Sequence, residues 1–420
     1  MTTHSLPRGA DDAAPSMLAP FRVRSFRFQW PADLATSWAF EMETLILGWY
    51  VLVQTDSVLM LTAFGSLQFL GTLVAPMFGV VADRVGRRRM LCVMRACYLA
   101  LASLLMTLAL SDLLTPWHVL GIALAMGVLR PSDLVMRNAL IGDTVPADWL
   151  MKAMGLSRTT MDSARIAGAL SGASLFAWLG IGPAYVVVVG FYLLSLLLTL
   201  GVAGPARAAE DEDIPGGRRR RSPWRELIDG LAYVWRTPEV LALMWLAFLV
   251  NLTAYPVTNG LLPYVARELY AVDQTGLGHL VAGYALGALA GSIGMALSGG
   301  GRRPGRLMLL CIPAWFLGNL LFAVQDGPLP GFVVLVGIGF LQSLAMVSMS
   351  VVLLRAAAEP FRGRVQGVRM LAVYGLPLGL LISGGLTEWL DFTLAVALLS
   401  AIGIAATIFV GIRWRAIIWG

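Results

Sequence analysis

Charge is scarce in this chain. Only 13% of its 420 residues are charged, about half the share usual in a soluble domain. Lysine is nearly absent: Lys152 stands alone against 30 arginines. There are three histidines (His4, His118, His279) and three cysteines (Cys92, Cys97, Cys311). Neither type shows metal-site or catalytic spacing, and the cysteines, all within apolar runs, read as small core residues rather than a disulfide frame. No Gly-x4-Gly-Lys-Ser/Thr loop occurs, so an ATP-driven pump would need a separate subunit. No cofactor is expected. The first 25 residues lack an apolar core of the signal-peptide kind and read as a disordered tail. These absences argue against a cytosolic enzyme, and the net charge of +6 does not make the chain a nucleic-acid binder.

Hydrophobic residues make up 58% of the sequence, enough for roughly a dozen spans of about 20 residues each. Cutting the apolar runs at charges, prolines and glycines places spans at Pro31–Val53, Met60–Ala82, Met90–Leu110, His118–Val135, Met161–Leu179 and Pro183–Val202. Six more follow at Val240–Val265, Leu277–Leu297, Leu307–Val324, Gly331–Leu354, Val368–Leu386 and Phe392–Ile412. The expected fold is an all-α integral membrane protein of twelve transmembrane helices in two pseudo-symmetric six-helix bundles. Its divisions are a cytoplasmic tail (1–28), a bundle (29–204), a linker (205–238), a second bundle (239–412) and a second tail (413–420). Loops this short leave no room for an extra folded domain.

Basic residues set the orientation. They crowd the two tails and the even-numbered loops, as at Arg84 to Arg89, Lys152, Arg218 to Arg221, Arg302 and Arg362. The opposite loops hold only Arg267. Both termini are therefore expected in the cytoplasm. The segment Ala206–Ser222, acidic and then basic around a Pro-Gly-Gly break, reads as a linker. Trp224–Arg236 carries Leu227, Leu231 and Val234 on one stripe, the pattern of a helix lying on the membrane surface.

The halves echo each other. Gly79-Val-Val-Ala-Asp83-Arg84-Val-Gly86-Arg87-Arg88-Arg89 follows the second span, and Gly294 to Arg303 follows the eighth with Ser298 in place of Asp83. Gly155 and Gly172 recur as Gly367 and Gly384. Parallel repeats of this kind place a substrate site between the halves near the bilayer midplane. Glycines 168, 172, 283, 287 and 291 form small-x-x-x-small runs that favour helix packing.

The Gly79–Arg89 loop resembles the signature of the major facilitator superfamily between its second and third spans. Other stretches are similar to the superfamily's bacterial exporter branch, which includes the enterobactin exporter and macrolide efflux proteins. These are Trp49 to Ser57, Trp224 to Pro238, Asn259 to Arg267, and Gly363-Arg364-Val-Gln-Gly367. The resemblance covers residues 28–412. It implies the fold, secondary active transport and outward export, but no particular substrate; the expected setting is a bacterial inner membrane, and the expected partners are a small molecule, protons and membrane lipids. The chain is expected to act as a monomer. Two departures stand out: Gly168-Ala-Leu-Ser-Gly172-Ala lacks the proline and final glycine of the antiporter motif, and Arg130 follows rather than precedes Gly127.

The resemblance makes Gly79, Asp83, Arg84, Gly86, Arg87 and Arg88 a conformational latch. It sets Asp83, at the cytoplasmic end of span two, against the start of span eleven near Val368 and Arg369, where a helix N-terminus attracts an anion, and pairs Arg87 with an acid of span four, Asp133 being the expected partner. Charges inside spans face protein or a water-filled path, which nominates Glu41, Glu43, Arg130, Asp162 and Arg165 for proton or substrate coupling; the alternative for those on spans four and five is a gate-stabilising network at the cytoplasmic ends. Arg130, Asp133 and Arg137 share one helix face. Asp33 is expected near the cytoplasmic surface, hydrated. Glu41 lies about 18 Å from either end of its span. Glu41 and Glu43 stand about 200° apart around the helix, so one face cannot present both; Glu41 is the expected cavity residue. Further expected lining residues are Trp38, Gln68, Asn251, Tyr255, Asn259, Gln342, Arg369 and Tyr374. The function expected from these readings is proton-driven export of small amphipathic molecules of the drug or siderophore type. The alternatives are a lipid or lysolipid translocator, an importer, or a non-transporting receptor on the same fold.

Overall fold

The computed structural model describes residues 18–72, 78, 81–82, 85–202, 223–297 and 303–414. Every described element is a helix. The long ones in the first part are α1 (Arg24–Thr55), α2 (Val58–Leu67), α3 (Arg87–Leu110), α4 (Pro116–Thr144), α5 (Ala147–Leu179) and α6 (Ile181–Leu200). A surface helix α7 (Pro223–Arg236) leads to α8 (Pro238–Thr253), which continues through two short helices, α9 (Tyr255–Asn259) and α10 (Leu262–Tyr264), and a π turn at Val265–Leu269. Then come α11 (Gln274–Leu297), α12 (Pro304–Ala323), α13 (Pro328–Ala356), α14 (Arg362–Ala372), α15 (Gly375–Trp389) and α16 (Phe392–Arg413).

Among the described residues, eight helices are long and apolar enough to cross a membrane, counting Gly367–Trp389, the end of α14 together with α15, as one. Neither α1 nor α5 is one of them. Both are long enough, but α1 carries Asp33, Glu41 and Glu43, and α5 carries Asp162 and Arg165. These are also helices packed between others: α1 lies against α5 and α6, and α5 lies against α11. Their charges can therefore face protein instead of lipid. Large apolar side chains cover the outside, with Leu197, Leu310, Val333 and Phe409 all more than half exposed. On a soluble protein such a surface would drive association; against lipid it is the required one.

Several helices run past the expected span ends. α1 begins at Arg24, and α4 continues beyond Val135 to Thr144. At 32 residues, α1 is about 48 Å long, well over the ~30 Å of hydrocarbon. Polar residues beyond the hydrocarbon keep the helical conformation, so a cut made on apolarity alone ends too early. The span expected at Val240–Val265 is instead broken. Its backbone turns at Ala254 and Gly260, and α7 meets α8 at 108°. Proline at Pro256 and glycine at Gly260 weaken the helix there, as such residues do where neighbouring groups satisfy the backbone.

Two large hydrophobic cores hold the helices together. The first joins Met42, Ile46 and Leu47 of α1 to Tyr98 and Leu105 of α3, Val119 and Ile122 of α4, and Tyr185 and Val188 of α6. The second joins Val250, Tyr284, Trp315, Phe316, Ile338 and Val396 from α8, α11, α12, α13 and α16. Close approach of helices depends on glycine. A Cβ on Gly168 would lie 2.7 Å from the Cβ of Glu41, and one on Gly291 would lie 2.7 Å from the Phe340 carbonyl oxygen. Cys311 is buried in the second core, whereas Cys92 and Cys97 are only half-buried, at odds with their expected core role. The linker expected over 206–222 lies outside the described residues.

Candidate functional site

A chamber of about 290 Å³ sits between the two groups of helices. Its wall includes Phe40, Glu41 and Thr44 of α1, Gln68 and Phe69 after α2, Arg130 of α4, Asp162 and Arg165 of α5, and Asn259 of α9. A second lobe of about 310 Å³ shares Phe40, Glu41, Gln68, Phe69 and Arg130. It runs on past Asp133, Leu134 and Arg137 toward the arginine-rich end of the molecule. Helix α5 brings Gly168 against α1 at Glu41, which fixes the backbone of that residue while its side chain borders both lobes.

Glu43 turns away. It is buried, and it accepts hydrogen bonds from the hydroxyls of Tyr185 at 3.1 Å and Tyr192 at 2.8 Å on α6. It was expected alongside Glu41 as a coupling candidate; the helical angle between them instead commits it to packing with α6. The two cavity arginines are held by neutral groups. Arg130 donates to the Gln68 side-chain oxygen at 3.3 Å and lies over the Phe40 ring. Arg165 donates to the Asn259 side-chain oxygen at 3.0 Å and faces the Tyr284 ring at 5.0 Å. Asp162 is paired with Arg158 one turn earlier, at 3.5 Å.

Other expected lining residues do not border these two lobes. Trp38 donates to Ser171 at 2.8 Å and stacks on Phe191, so it packs α1 against α5 and α6. Tyr255 and Gln342 bond to each other at 2.5 Å. Asn251 donates to the Ala247 carbonyl, Arg369 to Ser350, and Tyr374 to the Leu70 carbonyl. Each found a partner on a neighbouring turn or helix, which a list of polar residues in a span does not reveal.

Below the chamber lies a charge network that includes the Asp133–Arg137 pairing expected from their helix spacing and adds two unexpected members, Asp33 and Arg95. Asp33 is not hydrated at a surface; it is buried and pairs with Arg95 of α3 and, at 3.6 Å, with Arg137 of α4. Arg137 also pairs with Asp133 at 2.5 Å and donates to Ser37 at 3.0 Å. Arg95 donates in addition to Thr199 of α6. Asp133 is thus taken by Arg137, one turn away on its own helix, and not by Arg87. Arg87 reaches Asp143 instead, at 2.5 Å. Asp143 sits ten residues further along α4, about 15 Å nearer the arginine-rich end, where Arg87 begins α3. Gly86 before it has φ +98°, a conformation that L side chains seldom adopt. Arg88 donates to the Leu200 carbonyl. Gly79, Asp83 and Arg84 lie outside the described residues. The signal that could have exposed the network was Arg95, a lone arginine inside an apolar run, which requires an acidic or polar partner on another helix.

At the arginine-poor end the two groups of helices are tied together. Arg267 donates to the Leu52 carbonyl at 3.1 Å and pairs with Asp56 at 3.0 Å. Glu388 accepts from the Ser57 hydroxyl at 2.7 Å and the Leu59 amide at 2.8 Å. Deeper in, Ser66 donates to the Pro377 carbonyl at 2.8 Å.

Residues 34–375 match the sequence profile of the Major Facilitator Superfamily. The chain belongs to that superfamily. It is a multi-pass membrane transporter that handles a small-molecule substrate, and not an enzyme. It is 26% identical over 337 residues to the enterobactin exporter EntS of Shigella boydii serotype 18, covering 78% of this chain and 76% of that one. The EntS protein of Escherichia coli O157:H7 matches to the same extent. Among solved structures, the nucleoside transporter NupG superposes with a TM-score of 0.73 at 14% identity, over 93% of this chain and 99% of NupG. The peptide transporter PepTSo superposes with a TM-score of 0.72 at 13% identity, over 94% and 98% of the two chains. At such identities these likenesses concern the fold.

Proposed function

We propose that this superfamily member is a proton-driven exporter of small amphipathic molecules, working by alternating access in a bacterial inner membrane. In this reading twelve spans form two six-helix bundles, residues 29–204 and 239–412, and both termini are cytoplasmic. The observation that carries it is the chamber itself. It holds an intramembrane carboxylate, Glu41, and extends toward the arginine-rich end, while Arg267, Asp56 and Glu388 tie the opposite end. Basic residues mark the inside, so this arrangement fits an inward-facing state ready to load. Similarity to the enterobactin exporters supports the outward direction. Glu41 takes the proton in this scheme, and the loop of Gly79, Asp83, Arg84, Gly86, Arg87 and Arg88 latches the inner side when the outer side opens.

Two measurements test it. In a background lacking the native cysteines, Leu113→Cys should react with an impermeant label from outside intact cells, and Met151→Cys should not; both positions are exposed. The reverse pattern would refute the topology. For transport, metabolite profiles of the medium with and without the gene should reveal an amphipathic molecule that leaves only when the protein is made. Everted vesicles should accumulate that molecule when their interior is acidified and stop when a protonophore is added. Accumulation indifferent to the pH gradient would remove the proton from the mechanism.

A further inference from the structure

Most charges near the cavity are neutralised within the protein. Asp162 has Arg158, and Asp33 and Asp133 share Arg95 and Arg137. Three cavity side chains are different. Among the described residues, no ion pair joins Glu41, Arg130 or Arg165 to an opposite charge, although Glu41 is near enough to act on both arginines electrostatically. The arginines are held by amide oxygens, from Gln68 and Asn259, which fix their positions without cancelling their charge. The Nε of Arg165 is buried with no acceptor. Glu41 is faced by Arg130 from α4 and by Arg158, Asp162 and Arg165 from α5, while α9 and the end of α2 present the neutral Asn259 and Gln68. Between these groups the wall is apolar, with Phe40, Leu45, Leu61, Phe64 and Leu262.

Bare guanidinium groups in an enclosed space select an acid, because charge-assisted hydrogen bonds are the strong ones. An acid alone does not suit an exporter driven by protons. Protonating Glu41 would make the chamber more positive and hold such an acid more tightly, so proton and substrate would travel in the same direction. Export against inward protons needs them to exclude each other. A positive group on the substrate that occupies Glu41 supplies that exclusion. We infer that the chamber takes an amphipathic zwitterion, with its carboxylate, sulfonate or phosphate on Arg130 and Arg165, its cationic group on Glu41, and its apolar body against Phe40 and Phe64. This rests on the reading as a proton-driven exporter.

The test compares three probes with one apolar body: 3-(2-naphthyl)alanine, 2-(2-naphthyl)ethylamine and 3-(2-naphthyl)propionate. Uptake into acid-loaded everted vesicles is measured for each, subtracting vesicles without the protein to remove passive trapping of the amine. The amino acid is expected to accumulate about tenfold or more above the other two, the scale of a hydrogen-bonded charge. Arg130→Gln combined with Arg165→Gln should abolish the advantage of the amino acid over the amine. The comparison in the parent protein stands even if that variant fails to fold. Equal pumping of the amine would overturn the inference and leave the exporter reading intact. Propionate moving together with protons would overturn both. Uptake of none above the protein-free vesicles would also overturn the inference, while the metabolite profile would still decide the exporter reading separately.

Discussion

Asp33→Asn is expected to be among the most destabilising single changes in this protein. It leaves Arg95, with 1% of its surface exposed, buried without a counter-charge. Breaking a buried pair by removing one partner costs about 3–5 kcal/mol. Arg137 suffers less, because Asp133 still holds it at 2.5 Å. Thermal unfolding followed in detergent should show a large loss of stability. Adding Arg95→Met to Asp33→Asn removes the orphaned charge and should recover most of the loss, since replacing both members of a buried pair by neutral groups is often close to neutral. A single variant that melts with the parent would mean that water reaches Arg95 and that the network contributes little.

Glu41→Gln is expected to uncouple transport while leaving the fold intact. Glutamine keeps the shape and hydrogen-bonding ability of the side chain but cannot gain or lose a proton. An ionised carboxylate within the membrane is expensive unless it is paired, hydrated or protonated, and Glu41 has no ion pair among the described residues. Uphill export driven by a pH gradient should disappear, and downhill exchange of the same molecule should remain measurable. Glu43→Gln is the control. Its carboxylate is hydrogen-bonded to Tyr185 and Tyr192 and lines neither lobe of the chamber, so it should alter stability before it alters coupling. Export by Glu41→Gln as strong as that of the parent would make Glu41 a packing residue and move the proton site elsewhere.

What could be read from the sequence depended on how far apart the relevant residues are. The angle between Glu41 and Glu43 is set by helix geometry within three residues, so their separation into chamber and packing roles was accessible. The all-helical membrane class was written in the apolar runs, because their lengths have only one economical explanation in lipid. The partners of Arg87 and Asp33 were not accessible. They depend on the relative heights of α1, α3 and α4, which no local pattern encodes, and on α4 continuing as a helix well past its apolar stretch. Likewise Tyr255 and Gln342 looked like free polar groups in two separate spans. Only their packing across α9 and α13 shows that each occupies the other. Arg267 was conspicuous as the lone basic residue on its side. That it ties α1 to the π turn after α10 follows from three-dimensional proximity alone.

The glycine seam between α11 and α13 has a mechanical consequence. Backbone of one helix lies where side chains of the other would otherwise stand, at Gly287 against Val336 and at Gly339 against Tyr284. Two helices seated that closely cannot slide without collision, because packed interiors tolerate little change of shape. They form a stiff plate. Any bending during a transport cycle must then be absorbed where the backbone is already interrupted: at Ala254 and Gly260 between α8 and α10, and at Val373–Tyr374 between α14 and α15. Gly260 borders the chamber and Val373 its second lobe. The second group of helices is therefore built as a rigid slab with two compliant struts, and stiffening a strut should slow turnover without changing what the chamber binds.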